Sequence, residues 1–307
     1  MESGQTEEKL RQIAGAENVI VNEPMRAHTT FRIGGPADYF VTPENAECLG
    51  KLIRFLETEK LPYFILGNGS NLLVSDDGYR GAVICTVAGF QELRVGESTV
   101  TAGAGQLLSK IASAAAAGNL TGMEFASGIP GTLGGALIMN AGAYGGEMKD
   151  IVREVTVMTS EGEIRRFSGD EMKFGYRTSA AKENGWIVLG ATMELESGER
   201  EKIEARMNEL REARTSKQPL NFPSAGSTFK RPAGHFAGKL IMDSGLAGFS
   251  VGDAQVSEKH CGFVINRGHA TAEDVYILIR RIREIVYARS GVLLEPEVKF
   301  LGEFPPL

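Results

Sequence analysis

Five segments of the chain have apolar residues at helical spacing, and we predict a helix for each. They lie at 7–14, 46–61, 106–117, 199–214 and 271–290. Pro62, Gly118 and Gly291 end three of them, because proline lacks a backbone donor and glycine accepts the left-handed conformation at helix ends. Thr271 can cap the last helix. The residues expected on its buried face are Val275, Leu278, Ile279, Ile282, Ile285 and Val286.

Strands are predicted between these helices, where apolar residues run together or alternate. The run at 63–66 is typical of a buried strand, and residues 153–167 alternate around a central Glu-Gly pair, as in a hairpin. Helices and strands mixed in this order predict an α+β protein. We expect two N-terminal lobes and a smaller C-terminal lobe, at residues 1–80, 81–203 and 204–307.

Composition and charge exclude several classes of function. The 307 residues carry a net charge of −6 without a block of lysine or arginine, which argues against a general nucleic-acid-binding surface. The sequence has no run of about 18 apolar residues, so we expect no membrane span. The polar N-terminus lacks the pattern of a signal peptide. The histidines and cysteines show no metal-ligand spacing, so we expect no metal site. We expect a cytoplasmic protein with reduced thiols.

Seven glycines fall between Gly128 and Gly146, in a tract that has almost no charge. Glycine inside a regular element lowers stability by roughly 0.5–1 kcal/mol relative to alanine, so this density requires a cause. A flexible linker would be rich in serine and charged residues, whereas these glycines are interleaved with apolar residues. Two causes remain open: close packing of a helix against a sheet, or a ligand lying against the backbone.

A second glycine-rich stretch, at residues 66–74, continues directly from the strand predicted before it. Gly67 and Gly69 free the backbone to turn, so that successive amide groups can converge on an anion. Leu72 stands where the dinucleotide fingerprint has its third glycine, and no helical pattern follows, so a simple surface turn is the alternative. The two glycine-rich stretches lie about 60 residues apart. They could hold the two ends of one large nucleotide.

Three polar residues are candidates for chemistry. Arg177 can bind a carboxylate through two parallel hydrogen bonds. Ser227 follows a glycine and lies near Lys230 without the G-x-S-x-G nucleophile motif, so proton donation is open to it and acyl transfer is not supported. Glu297 shares a strand face with Glu295 if its segment is extended. Each of the three is also consistent with an ordinary surface or turn residue.

Taken together, the motifs of this chain resemble those of the bacterial UDP-N-acetylenolpyruvoylglucosamine reductase family, flavoproteins that complete UDP-N-acetylmuramic acid in peptidoglycan synthesis. The motifs follow the family's order over nearly the whole chain; they are TTFRIGGPADYF, LGNGSNLLVSDDGYRG, GIPGTLGGALIMNAGAYGG, YRTS, AGSTFKRP, AGKLIMDSGL and LEPEVKF. The resemblance implies a two-lobed FAD-binding fold of the vanillyl-alcohol-oxidase type, with a third lobe for the UDP-sugar. The short stretch between Ser227 and Glu297 is similar to the compact subclass, which lacks an inserted tyrosine-bearing loop.

The resemblance also implies the residues of the site. The implied catalytic residues are Arg177, Ser227 and Glu297. The implied contacts to FAD are Gly67, Asn68, Gly69, Ser70, Asn71, Leu72, Ser127, Gly128, Gly131, Thr132, Gly134, Gly135, Asn140 and Gly142. Lys217 and Lys239 are candidates for binding the phosphates of the UDP-sugar, and NADPH is the implied hydride donor.

In the implied reaction, hydride passes from NADPH by way of FAD to the vinyl carbon of the enolpyruvyl group. Negative charge develops beside the substrate carboxylate, where Arg177 would stabilise it. Ser227 would donate the proton, and Glu297 would either be protonated or hold Arg177 in place. The alternatives are a flavin-dependent alcohol oxidase of the same fold and a nucleotide-binding module without turnover.

Overall fold

The computed structural model describes residues 3–307, which form two compact units assembled from several segments of the chain. Unit 1 contains the residues up to Val21 together with Tyr39–Asn68 and Gly81–Arg214. Unit 2 contains Asn22–Asp38, Gly69–Arg80 and Thr215–Leu307. The boundaries of these two units differ from those of the three lobes expected at 1–80, 81–203 and 204–307. The three-lobe division stays a prediction.

The helices include all five that the apolar pattern predicts, and three short ones that it does not. The predicted helices are α1 (Ser3–Ala14), α2 (Ala46–Thr58), α3 (Leu108–Ala117), α6 (Arg200–Lys217) and α8 (Ala272–Ser290). The others are α4 (Leu133–Met139), α5 (Ala180–Glu183) and α7 (Ala237–Asp243). Helix α4 lies within the glycine tract, where low helix propensity hides it from pattern analysis.

Fourteen strands lie between Val19 and Ser197, and nine of them form a mixed sheet and an antiparallel sheet. They are β1 (Val19–Pro24), β2 (Pro36–Val41), β3 (Tyr63–Leu66), β4 (Leu72–Val74), β5 (Tyr79–Cys85), β6 (Leu93–Val95), β7 (Thr99–Gly103), β8 (Leu120–Thr121), β9 (Gly142–Ala143), β10 (Gly146–Glu147), β11 (Val152–Met158), β12 (Ile164–Ser168), β13 (Ile187–Glu194) and β14 (Glu196–Ser197). One sheet has the order β1-β2-β5-β3, with β3 and β5 parallel. The other has the antiparallel order β12-β11-β13-β7-β6. The predicted hairpin is β11–β12, and β9 pairs with β10 in a second, shorter hairpin.

Helices α3 and α4 cover the antiparallel sheet and close the core of unit 1. Helix α4 contacts β13 and β7, and α3 contacts β7 and β6. The side chains of Leu133 and Leu137 on α4 are fully buried in the same apolar cluster as Val155 and Met193 of the sheet. This packing stabilises a short helix that propensity alone would not maintain.

Unit 2 is built around α8 and a second antiparallel sheet. The remaining strands are β15 (Ser224–Ser227), β16 (Ser250–Val251), β17 (Ala254–Val256), β18 (Phe263–Asn266) and β19 (Lys299–Leu301). The sheet has the order β15-β18-β17-β16, while β19 pairs in parallel with β4. Helix α8 contacts β16, β17 and α7.

The signals that predicted α8 are confirmed in detail. Thr271 accepts a hydrogen bond from the backbone N–H of Asp274, whose side chain accepts one from Thr271 in return. Gly291 ends the helix with φ of 71°. The expected face is fully buried at Val275, Leu278, Ile279, Ile282 and Val286 and partly buried at Ile285. Within residues 3–307, no helix has both the length and the apolar character required to cross a membrane.

Candidate functional site

Close packing inside unit 1 explains several glycines of the tract. A Cβ placed on Gly134 would lie 3.1 Å from the Cβ of Ala104. A Cβ on Gly142 would lie 2.7 Å from the carbonyl oxygen of Gly146. Since interiors are packed without spare volume, these positions leave little or no room for a side chain. Of the two causes considered for the glycine tract, close packing therefore explains Gly134 and Gly142.

At Gly135, by contrast, the protein leaves room for a side chain. Gly135 lies inside α4 and is exposed, and a Cβ there would meet only Oγ1 of Thr132, at an ordinary distance of 3.7 Å. Glycine at a helical position lowers stability by about 0.5–1 kcal/mol relative to alanine. Neither packing nor backbone conformation demands glycine here, and the exposed face of α4 at Gly135 leaves room for another group. The open face therefore fits a large flat cofactor such as FAD.

The two glycine-rich stretches meet in unit 1. The side-chain amide of Asn68 donates to the carbonyl oxygen of Pro130 at 2.7 Å. A Cβ on Gly67 would lie 2.4 Å from Oγ1 of Thr132, which is itself 2% exposed. The structure thus brings together residues that are about 60 positions apart in sequence and that were predicted to serve one ligand.

Gly128 lies against Arg214, a residue that sequence analysis missed. A Cβ on Gly128 would lie 2.9 Å from Nη1 of Arg214. Burial lowers the pKa of the Arg214 guanidinium, but an arginine stays protonated at neutral pH. Two neighbouring residues predicted to contact FAD also bond within the protein. The hydroxyl of Ser127 donates to the carbonyl oxygen of Glu124 at 2.8 Å, and the carbonyl oxygen of Gly131 accepts from the N–H of Leu108 at 3.0 Å. Arg214 adds a fixed positive charge beside the glycine tract.

The rest of the 66–74 stretch, from Gly69 onward, belongs to unit 2. Gly69 has φ of 59°, and a Cβ there would lie 2.0 Å from a backbone carbonyl oxygen, so only glycine fits. The side-chain amide of Asn71 donates to the carbonyl oxygen of Glu297 at 3.1 Å. Ser70 is half-buried, and Leu72 is buried at the start of β4. This segment therefore ties the Gly69 turn to the segment that carries Glu297.

Arg177 occupies a tight turn in unit 1. Gly175 and Thr178 exchange backbone hydrogen bonds of 3.1 and 3.3 Å, which leaves Tyr176 and Arg177 at the corners. The φ of Arg177 is 57°, a left-handed conformation that costs a non-glycine residue roughly 1–2 kcal/mol. Lys182 donates to the carbonyl oxygen of Arg177 at 2.7 Å. Backbone strain of this kind persists only where the surrounding structure holds it, and it clusters at functional sites.

Glu147 provides negative charge near Arg177, and sequence analysis missed it as well. Its Oε2 accepts a hydrogen bond from Asn140 at 2.8 Å and lies 2.9 Å from Nζ of Lys149. The hydrogen bond from Lys149 lowers the pKa of Glu147 most; burial opposes this shift, and Asn140 and the charge of Arg177 lower the pKa further. The carboxylate is therefore ionised at neutral pH. The sequence signal that could have identified Glu147 is its position directly after Gly146, at the end of the glycine tract.

Ser227 and Glu297 come together through backbone pairing in unit 2. The N–H of Glu297 donates to the carbonyl of Thr228 at 2.8 Å, and Phe229 pairs with Pro296. Ser227 ends β15 and is exposed, and Glu297 is half-buried. Two residues separated by 70 positions (297 minus 227) thus occupy neighbouring places on paired segments. Arg177 belongs to the other unit.

The lysines near these segments differ in their surroundings. Lys230, close to Ser227 in sequence, forms an ion pair with Glu295. Lys239 lies on α7 and pairs with Asp243 at 2.9 Å. Lys217 is exposed at the end of α6. Of the two lysines predicted to bind phosphates, Lys239 is therefore already partly neutralised.

Comparison with known proteins identifies the family. Residues 218–301 match the C-terminal domain of UDP-N-acetylenolpyruvoylglucosamine reductase, and residues 37–168 match an FAD binding domain. The reductase of that name from Agathobacter rectalis is 52% identical over 93% of this chain and 95% of its own length. The chain belongs to the UDP-N-acetylenolpyruvoylglucosamine reductase family.

Further relatives of the UDP-N-acetylenolpyruvoylglucosamine reductase family agree over nearly the full chain. The Clostridioides difficile reductase is 52% identical over 96% of this chain and 97% of its own length. The crystal structure of the reductase from Thermus caldophilus superposes with a TM-score of 0.79 at 37% identity, covering 92% of this chain and 98% of that one. The predicted family, the α+β fold with a vanillyl-alcohol-oxidase-type FAD-binding domain, and the assignment as an FAD-dependent oxidoreductase are confirmed.

The matched domains contain most of the predicted site residues. The predicted FAD contacts from Gly67 to Gly142 lie within the FAD binding domain, and Ser227, Lys239 and Glu297 lie within the C-terminal domain. Arg177 and Lys217 lie outside both matches. The roles of the individual residues stay predictions.

Proposed function

We propose that this protein uses NADPH to reduce the enolpyruvyl group of UDP-N-acetylglucosamine-enolpyruvate to a lactyl ether, giving UDP-N-acetylmuramate for peptidoglycan synthesis in the cytoplasm. Membership of the reductase family supports the substrate and the reaction. The observation on which the catalytic assignment rests is the pairing that sets Ser227 beside the Glu297 segment. A nucleotide-binding module would have no need of a proton donor held in this way.

The residues present fit FAD, which, when bound, accepts hydride from NADPH and delivers it to the substrate. The open face of α4 at Gly135 offers space for a flat group. Gly67 lies against Thr132 at the start of α4, and Arg214 adds positive charge next to Gly128. A fixed cation beside a glycine-rich backbone suits a pyrophosphate, since both donate to anionic oxygen.

Arg177 binds the substrate carboxylate in this proposal. Hydride addition to the vinyl carbon leaves negative charge on the adjacent carbon, and this charge spreads into the carboxylate. A guanidinium stabilises it because it stays protonated and matches the carboxylate with two parallel donors. The left-handed turn at Arg177 fixes the starting direction of the side chain before substrate arrives, which reduces the reorganisation needed during reaction.

Ser227 donates its hydroxyl proton from Oγ to the carbon next to the carboxylate. A serine hydroxyl is a weak acid, so the proton it gives up must be replaced, and the exposure of Ser227 allows solvent to do so. Lys230 contributes little positive charge to this step because Glu295 pairs with it. Glu297 is anchored on both sides of its peptide, by Thr228 and Asn71, and so holds a fixed place beside β15.

Replacement of Ser227 by alanine separates the two half-reactions. Ser227→Ala should retain yellow FAD and be reduced by NADPH at close to the normal rate, because that step needs no acid. Reoxidation by the enolpyruvyl substrate should slow by roughly 100- to 10,000-fold, the usual contribution of a general acid. Anaerobic stopped-flow absorbance of the flavin reports each half separately.

Ser224→Ala provides the matched control, because Ser224 lies on the same strand. It should leave both half-reactions within about twofold of the native rates, as expected away from the reacting atoms. A Ser227→Ala enzyme that is reoxidised at the native rate contradicts the proton-donor role. Rapid reoxidation of the native enzyme by oxygen, and none by the enolpyruvyl substrate, would instead indicate an oxidase.

A further inference from the structure

The turn that carries Arg177 is held from both sides by the end of α4. The side-chain amide of Asn140 donates to the carbonyl oxygen of Gly175 at 3.2 Å. On the other side of the turn, the hydroxyl of Ser179 donates to the carbonyl oxygen of Ile138 at 3.0 Å. Each hydrogen bond lies two residues from Arg177. The last residues of α4 therefore fix both ends of a turn whose corner is in a strained, left-handed conformation.

The side chain of Asn140 uses both of its donors, and its oxygen as an acceptor, within unit 1. Besides the bond to Gly175, its Nδ2 donates to Oε2 of Glu147 at 2.8 Å, and its Oδ1 accepts from the backbone N–H of Lys149 at 3.0 Å. The orientation of the amide is settled by Lys149, because a backbone N–H can only donate and must face the oxygen. Both amide protons are occupied and the residue is 2% exposed, so Asn140 has no donor left for a cofactor.

Asn140 also joins the Arg177 turn to the charges around it. The Glu147 carboxylate that it holds forms an ion pair with Lys149 at 2.9 Å. Asn140 itself ends α4 with φ of 42°, a left-handed conformation that asparagine tolerates better than most residues. One side chain thus connects the C-terminal end of α4, the β9–β10 hairpin and the Arg177 turn.

We propose that Asn140 is a positioning residue for Arg177, which it acts on by fixing the turn at Gly175, and that it is not a contact to FAD. This inference rests on the proposed function, in which Arg177 binds the substrate carboxylate. It differs from the FAD contact that the family resemblance implies for Asn140. It also implies that the glycine tract has two separate tasks, since its helix faces the cofactor at Gly135 and holds a catalytic turn at its end.

The test is Asn140→Gly, which keeps the left-handed backbone and removes the amide. Asn119→Gly is the matched control, because Asn119 also has a left-handed φ, of 59°, and is exposed, with no side-chain hydrogen bond to residues 3–307. Asn140→Gly should keep its flavin and be reduced by NADPH within about twofold of the native rate. Reoxidation by the enolpyruvyl substrate should slow by about tenfold to hundredfold, the loss expected when a catalytic group shifts by about 1 Å. Asn119→Gly should match the native enzyme in both steps.

Hydrogen exchange in the holoenzyme gives a readout that is independent of turnover. The amide of Thr178 is protected by its bond to Gly175, so Asn140→Gly should speed its exchange, and Asn119→Gly should not. If Asn140→Gly loses flavin affinity while exchange at Thr178 stays native, the cofactor-contact role is correct and the proposal is wrong. Native reoxidation together with native exchange would also overturn it. Should Asn140→Gly fail to fold, Asn140→Asp gives a second test, because it keeps the acceptor, removes both donors and sets a carboxylate against that of Glu147; exchange at Thr178 should again be faster, and native exchange would overturn the proposal.

Arg177→Ala distinguishes a failure of this inference from a failure of the proposed function. If Arg177→Ala is reoxidised at the native rate, Arg177 does not bind the carboxylate and the proposed role of Arg177 fails. Exchange at Thr178 in Asn140→Gly still decides whether Asn140 fixes the turn. If Arg177→Ala is slow and Asn140→Gly is fast in the same step, the proposed function stands and the positioning role of Asn140 is excluded.

Discussion

Gly135→Ala should stabilise the flavin-free protein and weaken the binding of FAD. In the protein alone the added methyl group meets only Oγ1 of Thr132 at 3.7 Å, which is an ordinary contact. Alanine at a helical position raises the free energy of unfolding by about 0.5–1 kcal/mol relative to glycine, because a chain with alanine loses less conformational entropy when it folds. The substitution removes no contact on the protein side. The free energy of unfolding should therefore rise by about 0.5–1 kcal/mol.

The neighbouring residue on α4 provides the opposite case. At Gly134 the same methyl group would lie 3.1 Å from the Cβ and 3.3 Å from the carbonyl oxygen of Ala104. Overpacking of this kind typically costs about 1–3 kcal/mol, which exceeds the helical gain. Gly134→Ala should therefore lower the free energy of unfolding by about 1–2 kcal/mol.

Two measurements separate the effects of the Gly135 and Gly134 substitutions. Urea unfolding of the flavin-free proteins reports stability, and titration of flavin fluorescence reports the Kd of FAD. Gly135→Ala should raise the Kd by at least about tenfold, equivalent to about 1.4 kcal/mol, because the methyl group occupies the surface on which the cofactor would lie. A Gly135→Ala protein that is more stable and binds FAD with native affinity would show that this face of α4 does not contact the cofactor.

Three further predictions concern unit 2. Asp76→Ala should lower the free energy of unfolding in urea by about 1–2 kcal/mol, because the Asp76 carboxylate accepts from the first N–H groups of α8, at Ala272 (2.8 Å) and Glu273 (2.9 Å); native stability would contradict this. Burial lowers the pKa of His260, whose folded form binds protons less readily than its unfolded form. Stability should therefore fall as the pH drops below about 6.5, and His260→Gln should reduce that slope. Lys217→Ala should raise the KM for the UDP-sugar about tenfold, because it would remove a charge-assisted hydrogen bond to a phosphate. An unchanged KM would exclude Lys217 as a phosphate-binding residue.

The features that sequence predicted well are those that local residues determine. Helix α8 carries its own cap at Thr271, its own stop at Gly291 and an unbroken apolar face, so each level of information agrees. Helix α4 lacks these signals, because two of its first three residues, Gly134 and Gly135, are glycines with poor helix propensity. It forms because Leu133 and Leu137 are buried against the sheet, which is a tertiary effect.

Long-range pairing was equally hidden from the sequence. The segments at 228–230 and 295–297 pair through the backbone, and nothing in their side chains specifies that register. The resemblance to a known family supplied Ser227 and Glu297 as candidates, and the structure shows that the segments carrying them pair through the backbone. Likewise, the left-handed conformation of Arg177 follows from the hydrogen bonds around its turn and not from its own preference.

The number of glycines in a tract is a poor measure of cofactor contact, because the same residue type answers different demands. Gly134 and Gly142 are explained by close approach of neighbouring atoms, and Gly145 by its φ of 92°. None of these needs a ligand to account for it. Gly135 differs because the protein would tolerate, and even gain from, a methyl group there. Gly135 is therefore the glycine of the tract whose substitution tests cofactor contact, because a change in the binding of FAD there cannot come from crowding inside the protein.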